Sequence, residues 1–97
     1  ITDKKLLYIL DYIKNNYKDG YVRYGDVIDH LWKKGWLKEK EGSKFGRQAV
    51  TRQFQDRFIK PLKDKWDFVE LEGRTRARRI GLTEKGERYL RMFEYLV

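Results

Sequence analysis

Gln48 and Arg52 stand four residues apart, with Thr51 and Gln55 beside them. They lie in a stretch, 43–60, that sets Lys44, Arg47, Arg52, Arg57 and Lys60 against one acid, Asp56. Arginine can donate twice to guanine O6 and N7, and glutamine can pair with adenine N6 and N7. Thr51 can meet a thymine methyl or a phosphate. A second stretch, 73–79, holds Arg74, Arg76, Arg78 and Arg79 and no acid. Arginines of this kind contact phosphate or enter a narrow minor groove. These two stretches supply the whole net charge of +8, because the basic and acidic residues elsewhere balance. An excess gathered this way is the footprint expected of a polyanion site. Plainer alternatives stand beside it: a solvated helix face for the first stretch, and ion pairs from Arg79 to Glu70 or Glu72 for the second.

Other chemistries are poorly served. The chain has no cysteine and one histidine, His30, so disulfides and thiolate metal sites are excluded and a histidine-based metal site is not expected. His30, with Asp26 four residues before it, reads as locally hydrogen-bonded or exposed. No paired carboxylates are placed for acid–base work, Ser43 has no nearby base, and no glycine-rich nucleotide loop occurs. The expectation is a non-enzyme without cofactor or small-molecule ligand. No apolar run approaches the roughly 18–20 residues of a spanning helix, and the first segment lacks the features of a signal peptide. A cytoplasmic, nucleoid-associated protein is expected. The Lys, Arg and Glu richness also suits a thermophile. The chain opens on Ile1 rather than Met, which fits trimming or a longer parent.

The elements that must position these residues follow from periodicity. Leu6, Leu7, Ile9, Leu10, Ile13 and Tyr17 predict a first helix over about 3–18, with Thr2 as cap and Gly20 closing it. Residues 21–24 read as a stub of edge strand, with Tyr21 or Tyr24 in reach of a phosphate. Val27, Ile28 and Leu31 predict a second helix over 26–34, stopped by Gly35, with Trp36 and Leu37 packing back on the core. Val50, Phe54 and Phe58 define the buried stripe of a third helix over about 44–60, and Gln48, Arg52, Gln55 and Asp56 fall opposite. Asp56 is placed to pair with Arg52 or Lys60. Pro61 should end or kink this helix. Ser43 can cap it, and Ser43 and Lys44 at its N-terminus suit a phosphate. Two β-prone runs, 68–72 and 76–82, flank a turn and predict a hairpin with an arginine-rich tip. Thr83 then caps a last helix over about 84–96, burying Tyr89, Leu90, Phe93 and Leu96. The reading is one domain, 1–97, mainly α with a small β-hairpin (α+β), in the order α-(β)-α-α-β-β-α.

The stretch S-K-F-G-R-Q-A-V-T-R-Q-F (43–54) resembles the recognition helix of winged helix-turn-helix transcription regulators. The stretch G-R-T-R-A-R-R-I-G-L-T-E-K-G (73–86) resembles their wing, over about 67–82 here, followed by the L-T-x-K-G entry to the last helix. In size and composition the chain is similar to compact archaeal, viral and plasmid regulators. The resemblance implies that the third helix enters the major groove of double-stranded DNA. The wing then follows the backbone or reaches the adjacent minor groove. It further implies that Val50 and Phe54 are core, and that Arg47, Gln48, Thr51 and Arg52 face DNA.

The expected DNA-binding set is therefore Ser43, Lys44, Arg47, Gln48, Thr51, Arg52, Gln55, Arg74, Arg76 and Arg78. The function expected is that of a sequence-specific regulator. Two half-sites, and hence a homodimer, would supply the specificity one small domain lacks. Spare aromatics on the first helix, Tyr8 and Tyr12, and the apolar end of the last helix point to the dimer interface. Alternatives are a winged-helix module of a replication or partition protein, a winged helix that binds a protein, and RNA-binding or architectural roles.

Overall fold

The computed structural model describes residues 4–17, 19–38, 46–74, 78–93 and 95. Four helices surround a small sheet: α1 (Lys4–Asn15), β1 (Val22–Arg23), α2 (Tyr24–Lys33), α3 (Gly46–Phe54), β2 (Val69–Glu72), β3 (Arg79–Leu82) and α4 (Glu84–Phe93). α3 runs straight on into a π-helical segment, Gln55–Lys65. The sheet is antiparallel in the order β1-β3-β2, with Val22 opposite Ile80 and Leu71 opposite the same residue from the other side. This is the expected α+β winged-helix order, edge strand included.

The buried residues form one cluster. α1 contributes Leu6, Leu7, Ile9, Leu10 and Ile13; α2 contributes Val27, Ile28 and Leu31; α3 and the π segment contribute Val50, Phe54, Phe58, Ile59 and Leu62. Periodicity picked out all of these but Ile59 and Leu62, while Tyr17, expected on the stripe of the first helix, is only half-buried. α2 ends in a Schellman arrangement. Trp36 N–H donates to the Leu31 carbonyl and Gly35 N–H to the Trp32 carbonyl, each at 3.0 Å, with Gly35 at φ +80°. That turn drops Leu37 fully into the core and lays Trp36 half-buried on its surface.

Several boundaries differ from expectation. α1 stops at Asn15, and Gly20 lies in the turn before β1 rather than capping the helix. α2 starts two residues early, at Tyr24, which is buried. The helix through Pro61 neither ends nor breaks there but continues to Lys65. A proline ring clashes with the carbonyl four residues back in an α-helix. In the wider π turn the bonds reach back five residues, as from Trp66 N–H to the Pro61 carbonyl at 3.0 Å, which relaxes that clash. Burial of Phe58, Ile59 and Leu62 holds the segment in place. Strand β3 begins at Arg79, and the predicted strand residues 76 and 77 lie outside the described set.

His30 is tied across helices rather than locally. Its Nε2 shares a 2.6 Å hydrogen bond with the Tyr8 hydroxyl, and Tyr12 stacks on its ring at 4.2 Å. Tyr8 also meets Trp36 edge-on. Both tyrosines are thus occupied within the fold. Partial burial, and then Lys34 and Lys33, push the His30 pKa below its usual value.

Thr83 caps α4 as expected, accepting from Gly86 N–H at 3.0 Å while its own hydroxyl donates to the Asp67 carbonyl at 2.6 Å. The result presses α4 onto the start of β2. A Cβ at Gly86 would stand 2.0 Å from the Phe68 carbonyl oxygen. Backbone must move to admit it, so Gly86→Ala is expected to destabilise the fold by about 2–3 kcal/mol despite its better helix propensity. Gly25→Ala, whose Cβ would meet only the flexible end of Arg47, is expected to shift urea denaturation much less. A second expectation concerns pH. A depressed histidine pKa means that the unfolded chain takes up the proton first. Stability contributed by neutral His30 is present above about 6.5 and is lost as pH falls from there toward the folded pKa. Urea midpoints of the parent should fall over that window relative to those of His30→Gln; parallel pH profiles would refute it.

Candidate nucleic-acid interface

Residues 61–72 separate the two basic segments in sequence, and β1 ties the second to the helices. β1 pairs with β3 through Arg23 opposite Arg79, and Tyr24 N–H donates to the Arg78 carbonyl at 3.0 Å. The root of the wing therefore sits at the start of α2, and α2 packs on α3. Between them runs a broad concave surface. Arg23, Arg47, Gln48, Thr51, Arg52, Gln55, Arg57 and Arg78 all border it.

On α3, Val50 and Phe54 point inward with no exposed surface, which turns Gln48 and Arg52 out to solvent one helical turn apart. Thr51 is half-buried and its hydroxyl donates back to the Arg47 carbonyl at 2.9 Å. Gln55 is half-buried at the start of the π segment. Arg47 differs from expectation in its partner: it forms an ion pair with Asp29 of α2 and reaches toward the Gly25 carbonyl. Asp56 pairs with Lys60 at 3.3 Å, one of the two partners foreseen.

In the wing, Arg78 is half-buried with its guanidinium 5.7 Å from the centre of the Tyr24 ring. Arg74 is exposed beyond β2 and does not border the concave surface. Arg79 is held by Glu72 and lies over the Tyr21 ring at 4.9 Å. Its hydrogen bond keeps the Glu72 carboxyl below the usual range. Tyr21 in turn donates to Glu70 at 3.0 Å, and that bond, with Glu72 beside it, raises its pKa to about 12. The plainer reading of Arg79 thus holds. Ser43, Lys44 and Arg76 lie outside the described residues.

Arg23, Arg52, Arg57 and Arg78 make no ion pair with a described residue. Against them the surface carries Asp19 and Asp26, while Asp29 and Asp56 are paired. Positive charge therefore stays in excess where Gln48 and Gln55 offer directional hydrogen bonds. Arg57 and Arg23 were missing from the expected set. Arg57 falls five residues after Arg52, and the widened π turn returns a residue at that spacing to the same side. Tyr24, one of the two tyrosines expected within reach of a phosphate, is instead 6% exposed, its ring edge-on to Phe54 at 5.1 Å. Among the described residues, no group of three His, Cys, Asp or Glu could hold a metal ion, and no helix is long and apolar enough to cross a membrane.

The family model for the DUF6293 C-terminal winged helix domain matches residues 5–94. No curated protein and no solved structure matches the chain.

The exit from α2 is pinned to α3 by one side chain. Gln53 donates to the Lys38 carbonyl at 2.7 Å and accepts from its N–H at 3.3 Å. Gln53→Ala should cost about 1–2 kcal/mol in urea denaturation and speed hydrogen exchange at the Lys38 amide. An unchanged exchange rate there would show that the pair does not hold the connection.

Proposed function

The chain belongs to the DUF6293 C-terminal winged helix domain family, and from that premise we propose that it binds double-stranded DNA sequence-specifically. Residues 1–97 act as one binding domain, and its role is transcriptional regulation. Winged helix domains are typically binding modules rather than enzymes. The observation that carries the reading is the exposed pair Gln48 and Arg52 on α3, bordered by Arg57, Arg23 and Arg78 on one concave surface. In this reading α3 enters the major groove and presents Gln48 and Arg52 to base edges, with Thr51 and Gln55 beside them. Arg78 and the wing residues Arg74 and Arg76 run along the backbone or into the adjacent minor groove. Arg47, already committed to Asp29, positions α3 on α2 and touches phosphate at most. Ser43 and Lys44 meet phosphate at the helix entry.

The protein acts as a homodimer on paired half-sites. Among the described residues the two large apolar side chains left most open lie at this end of the chain, Met92 on α4 at 66% and Tyr95 just past it at 75% exposure. Tyr8 and Tyr12 of α1 are engaged with His30, so α4 supplies most of that contact. A second reading, a reader module within a longer protein, is favoured by the family's description as a C-terminal domain.

In vitro selection of bound duplexes followed by fluorescence anisotropy tests the proposal. Paired half-sites are expected among the selected sequences. Arg52→Ala should cost about 1–3 kcal/mol at the selected site and relax preference at one position. Arg74→Ala should weaken all duplexes alike and lower the salt slope by about 1. No enrichment, or equal affinity for unrelated RNA, would refute sequence-specific DNA binding.

A further inference from the structure

Tyr24 sits where the three DNA-facing elements of this reading meet. It is the first residue of α2, its ring packs on Phe54 of α3, and its N–H is bonded to Arg78 at the root of the wing. Arg78 also lies over the ring. The ring explains the burial, but the hydroxyl does not follow from it. Its oxygen is fully shielded from solvent and has no hydrogen-bond partner among the described residues. A buried, unsatisfied hydroxyl costs stability that phenylalanine would avoid, and such a group calls for an explanation. Gln55 and Arg78 line the same concave surface as Tyr24. Burial raises the phenol's pKa while donors of Gln55 and Arg78 draw it back, yet neither reaches hydrogen-bond geometry.

We propose that Tyr24 is a positioning residue for DNA reading: its hydroxyl oxygen accepts from the Gln55 amide when DNA is bound and fixes which end of that amide faces the bases. With Nε2 of Gln55 turned inward to Tyr24, Oε1 faces outward as an acceptor. An outward acceptor selects the exocyclic amino groups of adenine or cytosine and rejects guanine O6 and thymine O4. The orphaned hydroxyl is then a partner held ready for the bound state. The inference rests on the proposed DNA reading by α3, because Gln55 has bases to meet only there.

The test compares the parent, Tyr24→Phe, Gln55→Ala and the double variant by anisotropy on the selected duplex and on duplexes changed at single positions. Tyr24→Phe keeps the ring, so its urea midpoint should equal or exceed that of the parent. Its affinity for the selected duplex should fall about five- to tenfold, with preference lost at one adenine or cytosine. Affinity for unrelated duplexes and the salt slope should stay as they are. In the Gln55→Ala background, Tyr24→Phe should add nothing. Equal base preference in the parent and Tyr24→Phe would overturn the proposal and leave DNA binding standing. So would full additivity of the two substitutions, or a lowered urea midpoint, which would show a partner already bonded in the free protein. A parent that binds no duplex would remove the DNA reading itself, and this inference with it.

Discussion

The burial of Phe54 governs what this molecule can present. Its ring is fully enclosed, edge-on to Tyr24 at 5.1 Å and 6.1 Å from Phe58. Val50, one turn earlier, is enclosed as completely. Together they fix the rotational phase of α3. Turning the helix far enough to hide Gln48 and Arg52 would bring a phenylalanine and a valine into water, at about 1.5–3 kcal/mol for each side chain. Exposed polar pairs of this kind gain little from their own surroundings. Their orientation is set by the apolar residues between them.

The same stripe shows how far the sequence could be read. Val50, Phe54 and Phe58 recur every four residues, and that spacing was enough to separate the inward face of α3 from the outward one. Thr83 as a cap was legible for a similar reason, since its hydroxyl acts on N–H groups a few residues away. Beyond Phe54 the reading lost its register. Periodicity assumes about 3.6 residues per turn, and Pro61 argued locally for a helix end. The burial of Ile59 and Leu62 outweighed that local preference and carried the chain on as a π helix. Arg57 came to the concave surface by that route. Arg47 and Asp29 lie 18 residues apart in sequence, so their pairing depends on how α2 packs on α3 and could not be foreseen. Gly86 was quoted as part of a motif, but its reason, the Phe68 carbonyl 2.0 Å from where a Cβ would stand, exists only in the folded chain.

Charge alone would have ranked the arginines wrongly. Arg79 belongs to the densest basic run in the sequence, yet Glu72 and the Tyr21 ring hold it on the sheet. Arg47 lies in the recognition segment and is bound to α2. Such exposed pairs are each worth about 0–1 kcal/mol, so they are weak contributors to stability. Their effect is on direction: a guanidinium held by a carboxylate is less available to a second anion. Pairing in the fold thus moves the effective positive centre toward Arg23, Arg52, Arg57 and Arg78, and the first of these comes from a segment with no basic excess.

These residues can act as one surface only if the wing and α3 keep a fixed relation. The helix-to-helix packing of α2 on α3 sets one side of that relation. The other side is set by a short stretch of strand, where Val22 and Arg23 pair with Ile80 and Arg79. Tyr24 then bonds Arg78 through its backbone before the chain turns into α2. A hairpin joined to its neighbours only through its own turn would twist freely against the helices. Here the two-residue strand β1 ties the hairpin's inner strand to the first residue of α2. The side chain of that residue reaches Phe54, so the strand pairing and the aromatic contact fall within three consecutive residues. Displacing the wing root therefore pulls on the ring packed against the buried anchor of α3. A strand of two residues contributes little to the sheet as such; its consequence is that the basic wing root and the basic face of α3 are held in one frame.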